Sequence, residues 1–229
     1  MSERSRYELA DGIATITMDD GKVNALSSAM LAELMAHFVQ AEADEAVVVL
    51  TGRASTLSAG FDLRTEPGGW PAMLAAGAEL AERMLSFPRP VVVACNGNAI
   101  AMGAFLLLSA DYRVGAAGDF RIGLNEVAIG LTLPWFGIAL ARHRLTRPYY
   151  DRCAITGVTV GPDEAETAGF LDEVVDPGTA GESARAAAIG LAGINMAAHA
   201  ATKLRVREQV LAGVRDGIER VRAGNPAEV

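Results

Sequence analysis

Cysteine and histidine are scarce in this chain. It has two cysteines, Cys95 and Cys153, and three histidines. Two distant thiols make no disulfide framework, and no His/Cys pair has metal-ligand spacing, so no metal is expected. Long apolar runs are also missing. The longest, around residues 99–108, is interrupted by Gly103 and falls short of the ~20 residues needed to span a bilayer. Basic residues are outnumbered 20 to 28, giving a net charge of −8. That balance argues against nonspecific nucleic-acid binding, which depends on Lys and Arg neutralising phosphates. It leaves room for a local basic pocket. The first six residues are polar and lead directly into a strand pattern, so no signal peptide is expected and a reducing, cytoplasmic location fits. Hydrophobic residues are abundant, at 51% of 229. That supply builds a large core and leaves some apolar surface for burial between subunits.

Periodicity sets the elements. Residues 13–18 alternate and are β-branched, so they predict a strand. Asp19 to Lys22 follow as a turn. Ser27 or Ser28 caps a helix whose apolar face is Leu31, Leu34, Met35, Phe38 and Val39. The runs 46–50 and 91–94 are apolar throughout, as in strands covered on both faces. Residues 51–63 read as a long functional loop. Residues 72–87 read as a helix ended by Pro88 and Pro90, with Met73 and Leu74 offered to an apolar ligand. A helix over 103–110 is apolar all round. Short strands follow at 111–114 and 120–122, and Pro134 opens a helix to about residue 142. Beyond Arg147 the chain is mostly helical, with one extended piece at 173–175. Its last helix begins near Ala200, with Leu204, Leu211, Val214, Ile218 and Val221 on one face. The strand–helix alternation stops near residue 150. The expected division is therefore an α/β core over 1–150 and a helical region over 151–229, packed on the core or on a neighbouring subunit.

Three segments carry chemistry. In Ser58-Ala59-Gly60-Phe61, small residues let a ligand approach the backbone, and the Phe61 N–H can face a cleft. Read alone, this is an ordinary turn. In residues 96–103 a strand gives way to a helix, whose first N–H groups lack partners and carry partial positive charge. An N–H of Met102 or Gly103 can hold a developing oxyanion there; the plainer reading is a tight connection of small residues. Glu126 stands in the apolar stretch Ile122-Gly123-Leu124-Asn125-Glu126. Desolvation should raise its pKa, as a proton shuttle near neutral pH requires. A capping or salt-bridged glutamate is the competing reading.

In this order the three segments, with Lys22-Val23-Asn24-Ala25-Leu26 and Ala110-Asp111-Tyr112-Arg113-Val114, resemble the crotonase (enoyl-CoA hydratase/isomerase) family over residues 7–222. The resemblance implies a spiral of ββα turns with a helical C-terminal region that mediates trimerisation, often as pairs of trimers. It implies an acyl-CoA thioester as substrate, no separate cofactor, and no nucleic-acid or membrane partner. By position, the oxyanion-hole donors become the N–H groups of Phe61 and Met102. Val23, Ala25, Ala59 and Gly60 become part of the CoA-binding surface, and Phe105 part of the substrate pocket.

One departure bears on the reaction. Family hydratases usually hold their water with two glutamates. The first position is Phe105 here, and the second is Glu126. A lone base suits Δ3,Δ2-enoyl-CoA isomerisation, in which no water adds. The local text, including Pro134-Trp135-Phe136, is similar to the mitochondrial isomerase branch. A one-glutamate hydratase, an acyl-CoA hydrolase using Thr132, a decarboxylase and a non-catalytic acyl-CoA binder stay open. Lys203, Arg205 and Arg207 can reach CoA phosphates, although a solvated helix face is expected for at least two. Tyr149 and Tyr150 are expected in the core.

Overall fold

The computed structural model describes residues 4–64 and 68–224. Strands β1 (Ser5–Ala10) and β2 (Ile13–Met18) form an antiparallel hairpin. Its two-residue turn, Asp11-Gly12, has positive φ at both positions (55° and 72°), the combination that matches the twist of paired strands. The hairpin opens a six-stranded sheet in the order β1-β2-β3-β5-β7-β10. The further members are β3 (Val47–Thr51), β5 (Val91–Cys95), β7 (Tyr112–Ala116) and β10 (Glu173–Val175), all parallel to β2. A second sheet runs in the order β4-β6-β8-β9, from β4 (Thr56–Ser58), β6 (Asn98–Ile100), β8 (Ile122–Gly123) and β9 (Thr159–Val160).

The chain passes from a strand of the large sheet to one of the small sheet and then into a helix, three times. β3 and β4 lead to α2 (Trp70–Ser86), β5 and β6 to α3 (Met102–Ser109), and β7 and β8 to α4 (Trp135–Arg144). This is the ββα spiral. The segment read as one long loop over 51–63 contains β4, which is too short for a periodicity signal.

The continuous apolar runs are explained by cover on both faces of the large sheet. Val48, Leu50, Val91 and Val93 join the main core with α1 (Ser28–Ala43) and α2. Val47, Val49, Val92 and Ala94 face the other way, onto Ala180, Ala184 and Ala188 of α7 (Ala180–Ala192). An all-alanine stripe lets that helix lie close on the strands. Ser27 caps α1, its Oγ accepting the Met30 N–H at 3.3 Å.

After residue 150 come α5 (Arg147–Thr156), α6 (Pro162–Ala168), α8 (Met196–Val206) and α9 (Glu208–Arg222), but the chain also returns to both sheets through β9 and β10. The expected single last helix is two, broken at Arg207. Leu211, Val214, Ile218 and Val221 are buried on α9 against α2 and α4, whereas Leu204 on α8 is exposed. Both cysteines are buried and free. Among the described residues, no helix is long and apolar enough to cross a membrane, and no group of His, Cys, Asp and Glu could hold a metal.

Candidate active site

A cavity of about 260 Å³ opens between the loop after β4, the start of α3 and the turn after β8. Its lining includes Ala59, Phe61, Ala101, Asn125, Glu126 and Thr132, with Leu63, Trp70, Leu74, Ile129, Leu131 and Pro134 as apolar walls.

The first loop is pinned from behind. Asn24, fully buried with φ 52°, donates through Nδ2 to the carbonyls of Met18 (3.0 Å) and Leu57 (3.1 Å). Ser58 Oγ donates to the Asn24 carbonyl at 2.7 Å and accepts the Gly60 N–H at 3.1 Å. Leu26 then pairs with Phe61 as in a parallel ladder: its N–H goes to the Gly60 carbonyl, and its carbonyl takes the Asp62 N–H. That pattern uses the groups on either side of Phe61 and turns the Phe61 N–H away from Leu26. Among the described residues no acceptor meets it.

The second loop ends at Ala101, with φ 51° and ψ −119°, a region that a side chain adopts only under constraint. The Ala101 N–H to Gly123 carbonyl bond (3.0 Å) and the Phe105 N–H to Ala101 carbonyl bond (3.0 Å) supply it. Met102 follows as the first residue of α3, where a helix leaves its N–H unpaired. Two glycines let the loops meet. A Cβ on Gly103 would lie 2.5 Å from the Ser58 carbonyl oxygen, and one on Gly60 would lie 2.9 Å from Ala101 Cβ and 3.5 Å from Met102 N. The two loops thus meet beside the cavity, which Ala59 and Phe61 line from one and Ala101 from the other.

Glu126 begins a 3₁₀ turn, Val127–Ile129. Its side chain is 6% exposed, and Oε2 is buried without a hydrogen-bond partner. Burial raises its pKa from 4.5 to about 7, with its own backbone N–H pulling weakly the other way. No cation stands beside it among the described residues to hold it ionised. It is a carboxylate balanced between its two forms near neutral pH, in a largely apolar cavity.

Glu126, Phe61 and Ala59 line the cavity; Gly60 and Met102 do not, each standing next in the chain to a lining residue. Val23 and Ala25 form a ledge beside the first loop, where the Val23 carbonyl takes the Ala59 N–H at 3.0 Å. Phe105 differs from the expectation. It is fully buried, does not line the cavity, and stacks edge-on with Phe136 at 5.2 Å. A Cβ on Gly137 would lie 2.4 Å from its ring, so the ring fills a slot that this glycine leaves open. Lys203 and Arg207 are also corrected: both are buried on Asp111, and of the three basic residues on this stretch only Arg205 is exposed. Tyr149 and Tyr150 pack against the core. Sequence reasoning missed Asn24 and Ser58 as the pins of the first loop.

A sequence profile described as enoyl-CoA hydratase/isomerase matches residues 8–219. Among solved structures, an enoyl-CoA hydratase/isomerase family protein from Pseudomonas syringae is 46% identical, with a TM-score of 0.93, covering 96% of this chain and 97% of that one. An apo protein from Mycobacterium tuberculosis, described as an enoyl-CoA isomerase and also as a probable enoyl-CoA hydratase, is 46% identical, with a TM-score of 0.93 over 97% of this chain and 99% of that one. A Thermus thermophilus protein provisionally named an enoyl-CoA hydratase is 33% identical over 209 residues, 87% of this chain and 80% of that one.

Proposed function

The chain belongs to the enoyl-CoA hydratase/isomerase family, and from that premise we propose that it is a Δ3,Δ2-enoyl-CoA isomerase in which Glu126 alone carries the proton. One observation carries the choice: among the described residues, Glu126 is the only ionisable side chain lining the cavity. The N–H groups of Phe61 and Met102 hold the thioester oxygen. Ionised Glu126 takes a proton from Cα of a 3-enoyl-CoA, and the electron pair spreads onto that oxygen as a dienolate. Glu126 then returns the proton at Cγ, and the double bond ends between Cα and Cβ. No water enters, and the apolar walls keep the dienolate dry. The M. tuberculosis relative is described both as an enoyl-CoA isomerase and as a probable enoyl-CoA hydratase, so the choice rests on the cavity lining.

A specific feature supports hydration as the second reading. Asn125 Oδ1 and Glu126 Oε2 are neighbouring buried acceptors without partners, and one water could donate to both. Hydrolysis would call on Thr132, the one hydroxyl among the described lining residues. Assembly as a homotrimer or a pair of trimers through the C-terminal region is proposed alongside, in keeping with exposed Ile189 and Leu204 there.

The test of the catalytic assignment is Glu126→Gln. Acyl-CoA affinity should hold within about twofold while turnover falls by at least ~10²-fold, the low end for loss of a general acid–base group. An unchanged rate would remove Glu126 from the mechanism. Absence of turnover in the wild-type chain on any enoyl-CoA would leave a binding protein.

A further inference from the structure

A second cavity, of about 510 Å³, lies where the end of α4 meets α8, and it shares no lining residue with the first. Its wall holds Arg144, Lys203, Arg207, His143 and His199, with Asp111 as the one carboxylate. Asp111 is already fully engaged. Its Oδ2 accepts from Lys203 Nζ (2.6 Å) and the Val91 N–H (2.7 Å), and its Oδ1 pairs with Arg207 Nη2 at 2.9 Å. Arg113, nearby, is matched by Asp172 at 2.6 Å. Arg144 has no carboxylate among the described residues. It donates to the carbonyls of Leu108 and Ala110, which use its protons without neutralising its charge.

Three cations, Arg144, Lys203 and Arg207, therefore line this cavity with one carboxylate between them, and the Arg113–Asp172 pair lies outside its lining. Buried charge of one sign is costly unless matched. Its effect is visible in the groups themselves. Burial, with neighbouring cations adding to it, pulls Lys203 down to about 8 and Arg144 down to about 10. His199 Nε2 is buried in the same wall with no hydrogen-bond partner. Lys203 keeps a third proton beyond its bonds to Asp111 and the Arg89 carbonyl.

We propose that this cavity binds a phosphate-type oxyanion, held by Arg144 and Lys203 as charged donors and by His199 Nε2 as acceptor of a P–OH proton. Such an anion supplies the missing negative charge and gives the orphaned ring nitrogen a partner. The site is separate from the acyl-CoA cavity and would be filled independently of it.

The test is calorimetric titration of the full chain with sodium phosphate at constant ionic strength, with sodium chloride as the reference. One saturable site per chain is expected. Arg144→Gln should weaken it at least tenfold. Thr202→Glu, which sets a carboxylate on an exposed part of the wall, should do the same without disturbing the core. Enoyl-CoA turnover should be unchanged in both variants. No saturable uptake by the wild-type chain overturns the proposal, as does uptake that neither variant weakens. Displacement of phosphate by free CoA also overturns it, because the cations would then belong to the substrate's own phosphates. Light scattering on the same samples covers the remaining outcome. If the wild type takes up no phosphate and Arg144→Gln dissociates an oligomer, the charge faces a second copy of the chain and the proposal fails.

Discussion

Glu126 works because nothing beside it fixes its charge. Raised from 4.5 to about 7 by burial, it holds its proton in the folded chain at pH values where the unfolded chain has lost it. Stability from this group is therefore complete below about pH 4.5 and is lost as pH rises through about 7. Glu126→Gln should accordingly be more stable than the wild type at pH 8 by up to roughly 3 kcal/mol, taking 1.36 kcal/mol per pKa unit, and should show no such gain at pH 4. Chemical denaturation at the two pH values measures it. Turnover has the opposite demand: the ionised base is the active form, so kcat/KM, which reports the free enzyme, should rise with pH through a midpoint near 7. A gain in stability at pH 4, or a flat rate profile across pH 6–8, would contradict this account. The chemistry of Glu126 was legible in the sequence because its apolar neighbours are adjacent in the chain. That of Phe105 was not. All eight residues of α3 are buried, so no polar face marks which side looks at the cavity.

At the scale of elements, the site is a meeting of two loops and a helix end that only small residues permit. Gly103 on α3 sits against the Ser58 carbonyl with no room for a methyl group. Gly103→Ala should therefore push α3 from the first loop. We expect a loss of about 1–3 kcal/mol in stability, the usual cost of overpacking, and a drop in kcat greater than any rise in KM. Steady-state kinetics with a melting curve checks both, and an alanine variant with wild-type kcat would mean the two donors do not need this contact. Strands 13–18 and 91–94 were readable because β-branched runs name themselves. The three-residue strands β4 and β6, which aim both loops, carry no periodicity over so short a span. Likewise Lys203 and Arg207 stand four apart on a polar stretch and read as a solvated face. Their partner, Asp111, is 92 residues before Lys203 and invisible to local pattern.

Across the whole molecule, Asp111 ties the core to the C-terminal helices. It stands just before β7, takes the first N–H of β5, and holds two cations of the α8–α9 junction. Asp111→Asn leaves those cations buried and short of their counter-charge, so it should lower stability by about 3–5 kcal/mol, as breaking a buried pair does. Hydrogen exchange should show α8 and α9 loosening first; uniform exchange with an unchanged melting temperature would deny the tie. The α/β core was read from the strand runs and the spiral came from the family resemblance, whereas the return of residues 159–160 and 173–175 to the sheets needed the structure. The central claim, one base moving one proton with no water added, is tested most directly by offering the protein a 3-enoyl-CoA and the matching 2-enoyl-CoA under the same conditions. Absorbance of the conjugated thioester and product mass are then followed. The account expects conjugation to appear from the first substrate and little or no gain of 18 mass units (roughly one water) on the second, given a single carboxylate and mostly apolar walls. Rapid hydration of the 2-enoyl-CoA with no conjugation of the other would contradict it.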